Sequence, residues 1–158
     1  MISWDRQGDR IIVIFSPRQI CWLRKHLTDY LHRVDRALSG HVDDPVISNL
    51  FGDTCSHELN FVTRFHRARA SITTLLDDLP DRGGVIVIRD NRHRMTWTWT
   101  LHELRIALAT RLGLGLPNAV GRPGRASAPN KLMQWLSTVA DTLAAAGNHS
   151  FMSECSEQ

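Results

Sequence analysis

Long apolar runs are missing from this chain. No stretch approaches the roughly 20 consecutive apolar residues that a membrane-spanning helix needs, although 42% of the 158 residues are hydrophobic. A soluble protein with no membrane role is expected. The opening Met1-Ile-Ser-Trp-Asp-Arg6 has neither an apolar h-region nor a small-residue cleavage site, which predicts a cytoplasmic location. Cysteine is scarce as well. Cys21, Cys55 and Cys155 are odd in number and far apart, a poor basis for a secreted disulfide framework, so free thiols in a reducing compartment are expected. Lysine is nearly absent: Lys25 and Lys131 stand against 17 arginines, a bias that GC-rich coding explains as well as selection for bidentate anion binding does. A nucleotide-binding P-loop is excluded, because "GLGLPNAVGRPG" contains Pro117 and lacks the Lys-Ser/Thr ending that cradles phosphates.

What is present is helical periodicity between two short apolar strands. Arg10 to Phe15, RIIVIF, is β-branched and reads as a buried strand. Ser16, Pro17 and Gln19 then form the signature of a capped helix start. Ile20, Leu23, Leu27, Leu31, Val34 and Leu38 mark one face of that helix, and Gly40 ends it. Asp44-Pro45 makes a turn with a short helical piece after it. A long helix is expected from about Thr54 to Leu79, with Phe61, Phe65, Ala68, Ile72, Leu75, Leu76 and Leu79 directed inward and Pro80 stopping it. Asp81-Arg82-Gly83-Gly84 turns into a second strand at residues 85–88, a natural partner for the first.

The stretch TWTWTLHELRIALATRLGL, residues 96–114, supports two readings. Thr and Trp alternate as in a half-buried strand at 95–99, after which Thr100 and Glu103 form a capping box. Alternatively Trp97, Leu101, Leu104, Leu108 and Leu112 form one helical stripe. Gly113 closes the helix in either case through a left-handed conformation. Residues 115–129 lack periodicity and read as a basic linker. A last helix runs from about Asn130 to Ala146, ending at Gly147, and residues 148–158 read as a disordered tail. The expected fold is mainly α (α+β): a single helical domain over residues 1–147 with two short strands at 10–15 and 85–88.

Chemistry-bearing motifs are few. Cys55-Ser-His57 and His66 form the densest potential metal cluster, but their spacings on one helix do not converge on a tetrahedral site. No metal and no cofactor are expected. Cys21 and Cys55 are the redox candidates, and Cys55 lies near a helix start, where the dipole lowers a thiol's pKa. Charge is asymmetric: residues 82–131 carry nine basic and two acidic residues, net +7, and the remainder ten basic and fourteen acidic, net −4. Arg89, Arg92 and Arg94 read as the tip of a basic turn, and Arg122 and Arg125 lie on the linker. These arginines are the candidate contacts for an acidic protein or for phosphates.

The residues of WTLHELRIALATRLGL resemble the signature of an actinobacterial family catalogued as a domain of unknown function, which includes AosR-type oxidative-stress transcriptional regulators. Trp97, Leu101, Leu104, Arg105, Ile106, Leu108, Arg111, Leu112 and Gly113 occupy matching positions, while His102-Glu103 stands where the signature has Asn-Asp. Weaker matches are Asp44-Pro45, Glu58-Leu-Asn-Phe61 and the segment from Trp135 to Leu143. Because Trp97 then lies at a helical interval from Leu101, the helix is expected from about Thr96. The resemblance implies a non-enzymatic regulator of the oxidative-stress transcriptional response that binds a sigma factor or RNA polymerase. Direct DNA contact is a further possibility, but no base-reading motif is found. Two alternatives remain: a protein-binding adaptor without a transcriptional role, and a thiol-dependent enzyme using Cys55.

Overall fold

The computed structural model describes residues 3–7, 10–52, 58–113 and 128–153. In chain order the elements are β1 (Ser3–Gln7), β2 (Arg10–Phe15), α1 (Pro17–Leu38), α2 (Pro45–Phe51), α3 (Glu58–Asp78), β3 (Gly84–Ile88), α4 (Asn91–Arg111) and α5 (Ala128–Ser153). The mainly α, α+β class expected from the sequence is what forms. The sheet differs, with three strands in the order β1-β2-β3, both pairings antiparallel. β1, SWDRQ, has no apolar run to announce it; it is defined by its pairing with β2.

β2 and β3 alternate as one-sided strands do. Ile11, Val13, Phe15, Ile86 and Ile88 are buried, and the register pairs Ile11 with Ile88 and Val13 with Ile86 on that inner face. Helices cover this face. α1 starts as the sequence predicts: Ser16 Oγ accepts from the Gln19 amide at 3.3 Å, and Gln19 Oε1 accepts from the Ser16 amide at 2.8 Å. Such a cap contributes about 1 kcal/mol. Ile20, Leu23, Leu27, Tyr30, Val34 and Ala37 form its buried face. The sequence pattern missed Tyr30, and Leu31 and Leu38 pack at the core's edge instead.

The carbonyls just past the end of α3 find an external donor. The Arg24 guanidinium donates to Leu79 O at 2.7 Å and to Pro80 O at 3.4 Å, supplying a partner that helix ends otherwise lack. Gly83, in the turn that follows, has φ +88, and a Cβ there would lie 2.8 Å from Pro17 N. The entry to β3 thus lies directly against the first residue of α1.

α4 settles the competing readings of residues 95–99. It is helix throughout and begins at Asn91, earlier than the expected start near Thr96; Asp90 caps it, Oδ1 accepting from the His93 amide at 2.7 Å. Arg89 to Arg94 is therefore a cap and first helical turn, not the tip of a basic turn. Thr100 is not a cap: it is buried in mid-helix, its hydroxyl without a partner among the described residues. Thr96 and Thr98 each donate a hydroxyl to the carbonyl four residues back, both at 3.0 Å. This local bond lets threonine sit in a helix despite its β preference. Leu112, expected on the buried stripe, is 49% exposed, because the helix gives way there to the turn at Gly113, whose φ of 63 is the left-handed conformation expected.

α5 packs along α4 with Leu136, Val139, Ala140 and Leu143 buried. It runs through Gly147 to Ser153, so the expected stop at Gly147 and a disordered tail from residue 148 are corrected to helix as far as 153. The expected linker at 115–129 lies almost wholly outside the described residues, and residues 128 and 129 open α5. Where sheet, α1, α4 and α5 meet, Phe15 stacks on Trp97 with centroids 6.4 Å apart and meets Trp135 edge-on at 5.8 Å. Trp135 in turn meets Trp22 edge-on at 5.8 Å.

Candidate functional site

A cleft of about 900 Å³ opens between α3 and the N-terminal half of α4, with Phe51 of α2 at one end. Helical spacing supplies its basic wall. Arg64 and Arg67 lie one turn apart on α3, and Arg89 and Arg92 flank the Asp90 cap of α4. Arg64 is partly engaged: its guanidinium donates to Phe51 O at 3.1 Å and lies 5.3 Å from the Phe51 ring centroid. The Arg89 and Arg92 side chains are exposed and make no hydrogen bond or ion pair among the described residues. Beside them on α4, Trp99 is 60% exposed and Met95 is exposed as well.

The carboxylates of the cleft are committed elsewhere. Asp78, at the end of α3, accepts from His93 Nε2 at 2.6 Å and from Trp97 Nε1 at 2.9 Å. The Arg89 amide donates to His93 Nδ1 at 3.3 Å. That bond requires an unprotonated Nδ1, so the proton of a neutral ring sits on Nε2, facing Asp78. Both ring nitrogens thereby have partners, and the Trp97 Nε1–H also lies 3.2 Å from His93 Nε2. Asp90 is occupied by capping.

Glu103 is half-buried and accepts from the Tyr30 hydroxyl at 3.1 Å. Burial holds its carboxyl above its ordinary range, against the Tyr30 hydrogen bond and the Arg64 and Arg67 charges, which pull it down. Burial first, and Glu103 second, push the Tyr30 phenol up, so it remains a donor. A carboxyl raised in the folded state contributes stability that is complete below its unfolded value and is lost as pH rises through its folded value. Glu103→Gln keeps the acceptor for Tyr30. The variant is expected to match the native chain in acid and to become the more stable of the two as pH rises through the raised carboxylate range. Urea denaturation across pH checks this; a gap that does not change with pH contradicts it.

The residues singled out from the sequence divide into three groups. Arg89 and Arg92 stand in the cleft. Arg94 does not: it donates to Leu143 O at 2.9 Å and Ala144 O at 3.2 Å, fastening α4 to α5. Arg94 is thus engaged within the fold, unlike Arg89 and Arg92. Arg122, Arg125 and Cys55 lie outside the described residues, and Cys21 is a free thiol exposed on α1. The signature residues are structural. Trp97, Leu101, Leu104 and Leu108 are buried, the Arg105 guanidinium donates to Ser137 Oγ of α5 at 3.0 Å, and the Arg111 guanidinium to Asp29 of α1 at 2.7 Å.

Sequence reasoning missed Arg64, Arg67, Asp78, His93, Trp99 and Glu103 as site residues. The one usable signal was that Arg64 and Arg67 share a face of an amphipathic helix. Among the described residues no cluster of His, Cys, Asp and Glu is arranged to hold a metal ion, and no helix is long and apolar enough to cross a membrane.

The cleft and the α4 signature both fall within a match to a family model that covers residues 1–147. The chain belongs to DUF2017, a domain of unknown function. No curated protein and no solved structure matches it.

Proposed function

We propose that this chain is a non-enzymatic regulatory domain that binds an acidic segment of a protein partner in the α3–α4 cleft. The observation that carries this reading is the pairing of two unengaged arginines, Arg89 and Arg92, with the exposed Trp99 on an open wall whose carboxylates are already bonded. Tryptophan and arginine are the residues that most often dominate protein interfaces, and methionine is enriched beside them. An open groove of this kind accepts a peptide segment with carboxylates toward the arginines and an apolar side chain against Trp99. The resemblance of the α4 signature to AosR-type regulators supports a partner within the transcription apparatus, a sigma factor or RNA polymerase, in the response to oxidative stress. A cytoplasmic setting follows from that reading.

The test titrates the purified chain with sigma factor, with RNA polymerase and with duplex DNA at several salt concentrations. A protein partner is expected to bind, with Trp99→Ala weakening it by about thirtyfold and Arg89→Glu with Arg92→Glu by about tenfold, chiefly through the association rate at low salt. Were DNA the partner, log affinity would fall with log salt at about −0.9 per phosphate neutralised. A steep slope on duplex DNA that flattens in the double-arginine variant overturns the proposal.

A further inference from the structure

The arginines of the cleft fall into two groups, one at each end. α3 and α4 run antiparallel along it. Asp78, at the end of α3, meets His93 in the first turn of α4 at 2.6 Å, and Arg64 and Arg67 lie close enough to Glu103, further along α4, for their charges to act on its carboxyl. Arg92 and Glu103 are eleven residues apart on α4, and Arg67 and Asp78 eleven apart on α3, so each wall runs about 16 Å between the same two ends. Arg89 and Arg92 mark one end, on the α4 side, and Arg64 and Arg67 the other, on the α3 side. Between them the described lining residues, Ser71 and Thr74 on α3 and Met95, Thr96 and Trp99 on α4 among them, carry no charge.

Both ends are open to an anion for the same reason. Their carboxylates are held by the fold's own donors: Asp78 by His93 and Trp97, Asp90 by the His93 amide, Glu103 by Tyr30. The exposed guanidinium of Arg67, like those of Arg89 and Arg92, makes no hydrogen bond or ion pair among the described residues. An extended chain covers 16 Å in about five residue steps, and side chains an odd number of steps apart point to opposite sides. Two acidic side chains five positions apart therefore reach the two ends and the two walls at once. Spread over that length, the cleft's 900 Å³ gives a mean cross-section of about 55 Å², which suits an extended chain and is less than the about 80–110 Å² of a helix. Trp99, 60% exposed in the uncharged stretch, takes an apolar side chain between the two acids.

We infer that the cleft recognises an extended segment with two acidic residues five positions apart and apolar residues between them, one acid on Arg67 of α3 and the other on Arg89 and Arg92 of α4. This rests on the reading of the cleft as the site of an acidic partner segment, and adds a spacing to it. Total charge does not decide the affinity, because two acids side by side leave one end of the cleft empty. Arg67, which plays no part in the fold's own ion pairs, becomes half of the recognition.

NMR titration of the isotope-labelled whole chain with hexapeptides capped at both termini, followed at the Trp99 indole N–H, tests it. The peptide Glu-Ser-Leu-Leu-Ser-Glu is expected to bind about fivefold more tightly than Glu-Ser-Leu-Leu-Ser-Gln, the gain from a second exposed ion pair. Glu-Glu-Leu-Leu-Ser-Ser carries the same charge as the first and is expected to bind only as the single-acid peptide does. Arg67→Gln is expected to abolish the advantage of the spaced peptide, and so, separately, is Arg89→Gln with Arg92→Gln. These side chains are exposed, so the rest of the spectrum should stay unchanged in both variants. A clustered peptide that binds as tightly as the spaced one overturns the spacing and leaves the acidic-segment reading standing. An advantage that survives Arg67→Gln does the same. Acidic peptides that leave the Trp99 signal unmoved overturn both.

Discussion

Trp97→Ala is expected to lower the free energy of unfolding by about 3–5 kcal/mol, the range for truncating a buried aromatic in a packed core. Only 1% of Trp97 is exposed. Its ring stacks on Phe15 of β2, and its Nε1–H donates to Asp78 of α3. One side chain of α4 thus binds the sheet and a neighbouring helix together. Truncation leaves a cavity beside Phe15 and removes one of the two donors that satisfy Asp78. Native domains hold only about 5–15 kcal/mol in reserve, so the variant is expected to melt far below the native chain or to fail to fold. Trp97→Phe separates the two contributions. It keeps much of the ring contact and deletes the N–H, so it should cost about 1 kcal/mol from the hydrogen bond, with a smaller volume loss added. Thermal and urea denaturation of the pair check this, and unchanged melting of Trp97→Ala would contradict the assignment.

The second large effect is expected at Gly83. Its φ of +88 is a conformation that side-chain-bearing residues adopt at a cost of about 1–3 kcal/mol. An alanine Cβ would also lie 2.8 Å from Pro17 N and 3.0 Å from Pro17 Cα. Those are backbone atoms of α1's first residue, so relief requires moving the helix start and with it the Ser16–Gln19 cap. Gly40 supplies the comparison, since its φ is +91 and nothing lies within 4 Å of a Cβ built there. Gly40→Ala is expected to show the conformational cost alone and Gly83→Ala that cost plus the steric one, the difference being read by urea denaturation. Equal losses in the two variants would show that α1 yields at no cost.

Those two positions mark what was and was not legible in the sequence. A local cap can be read from Ser16, Pro17 and Gln19 because all its partners lie within four residues. The amphipathic faces of α1 and α3 are likewise properties of spacing. The start of α4 was placed near Thr96 because residues 91–94 are polar and add nothing to the apolar stripe, and the alternation of Thr and Trp left a strand open at 95–99. The helix resolves it: Trp97 points to the core, Trp99 to solvent, and the Thr96 and Thr98 hydroxyls bond back to their own helix. β1 was invisible because mixed-polarity strands owe their structure to a neighbour. The cleft was half visible. Arg89 and Arg92 stood out as charges, but Arg64, Arg67 and Asp78, which complete the cleft, come from α3. That Asp78 of α3 is consumed by His93 and Trp97 of α4 is a fact of tertiary packing, as is the burial that raises Glu103.

The pairing of β2 with β3 has a consequence for how the chain reaches this fold. All of α1, α2 and α3 lies between the two strands, and Phe15 of β2 completes its aromatic contacts only when α4 and α5 arrive with Trp97 and Trp135. Nonlocal closure of this kind sets a slow step, because chain entropy is lost before the rewarding contacts form. During synthesis, β2 emerges before α4 and α5, and its inner apolar face waits for the partners they carry. Until then the β1–β2 pair holds an uncovered apolar inner face, and α5 completes the cover over it through Trp135.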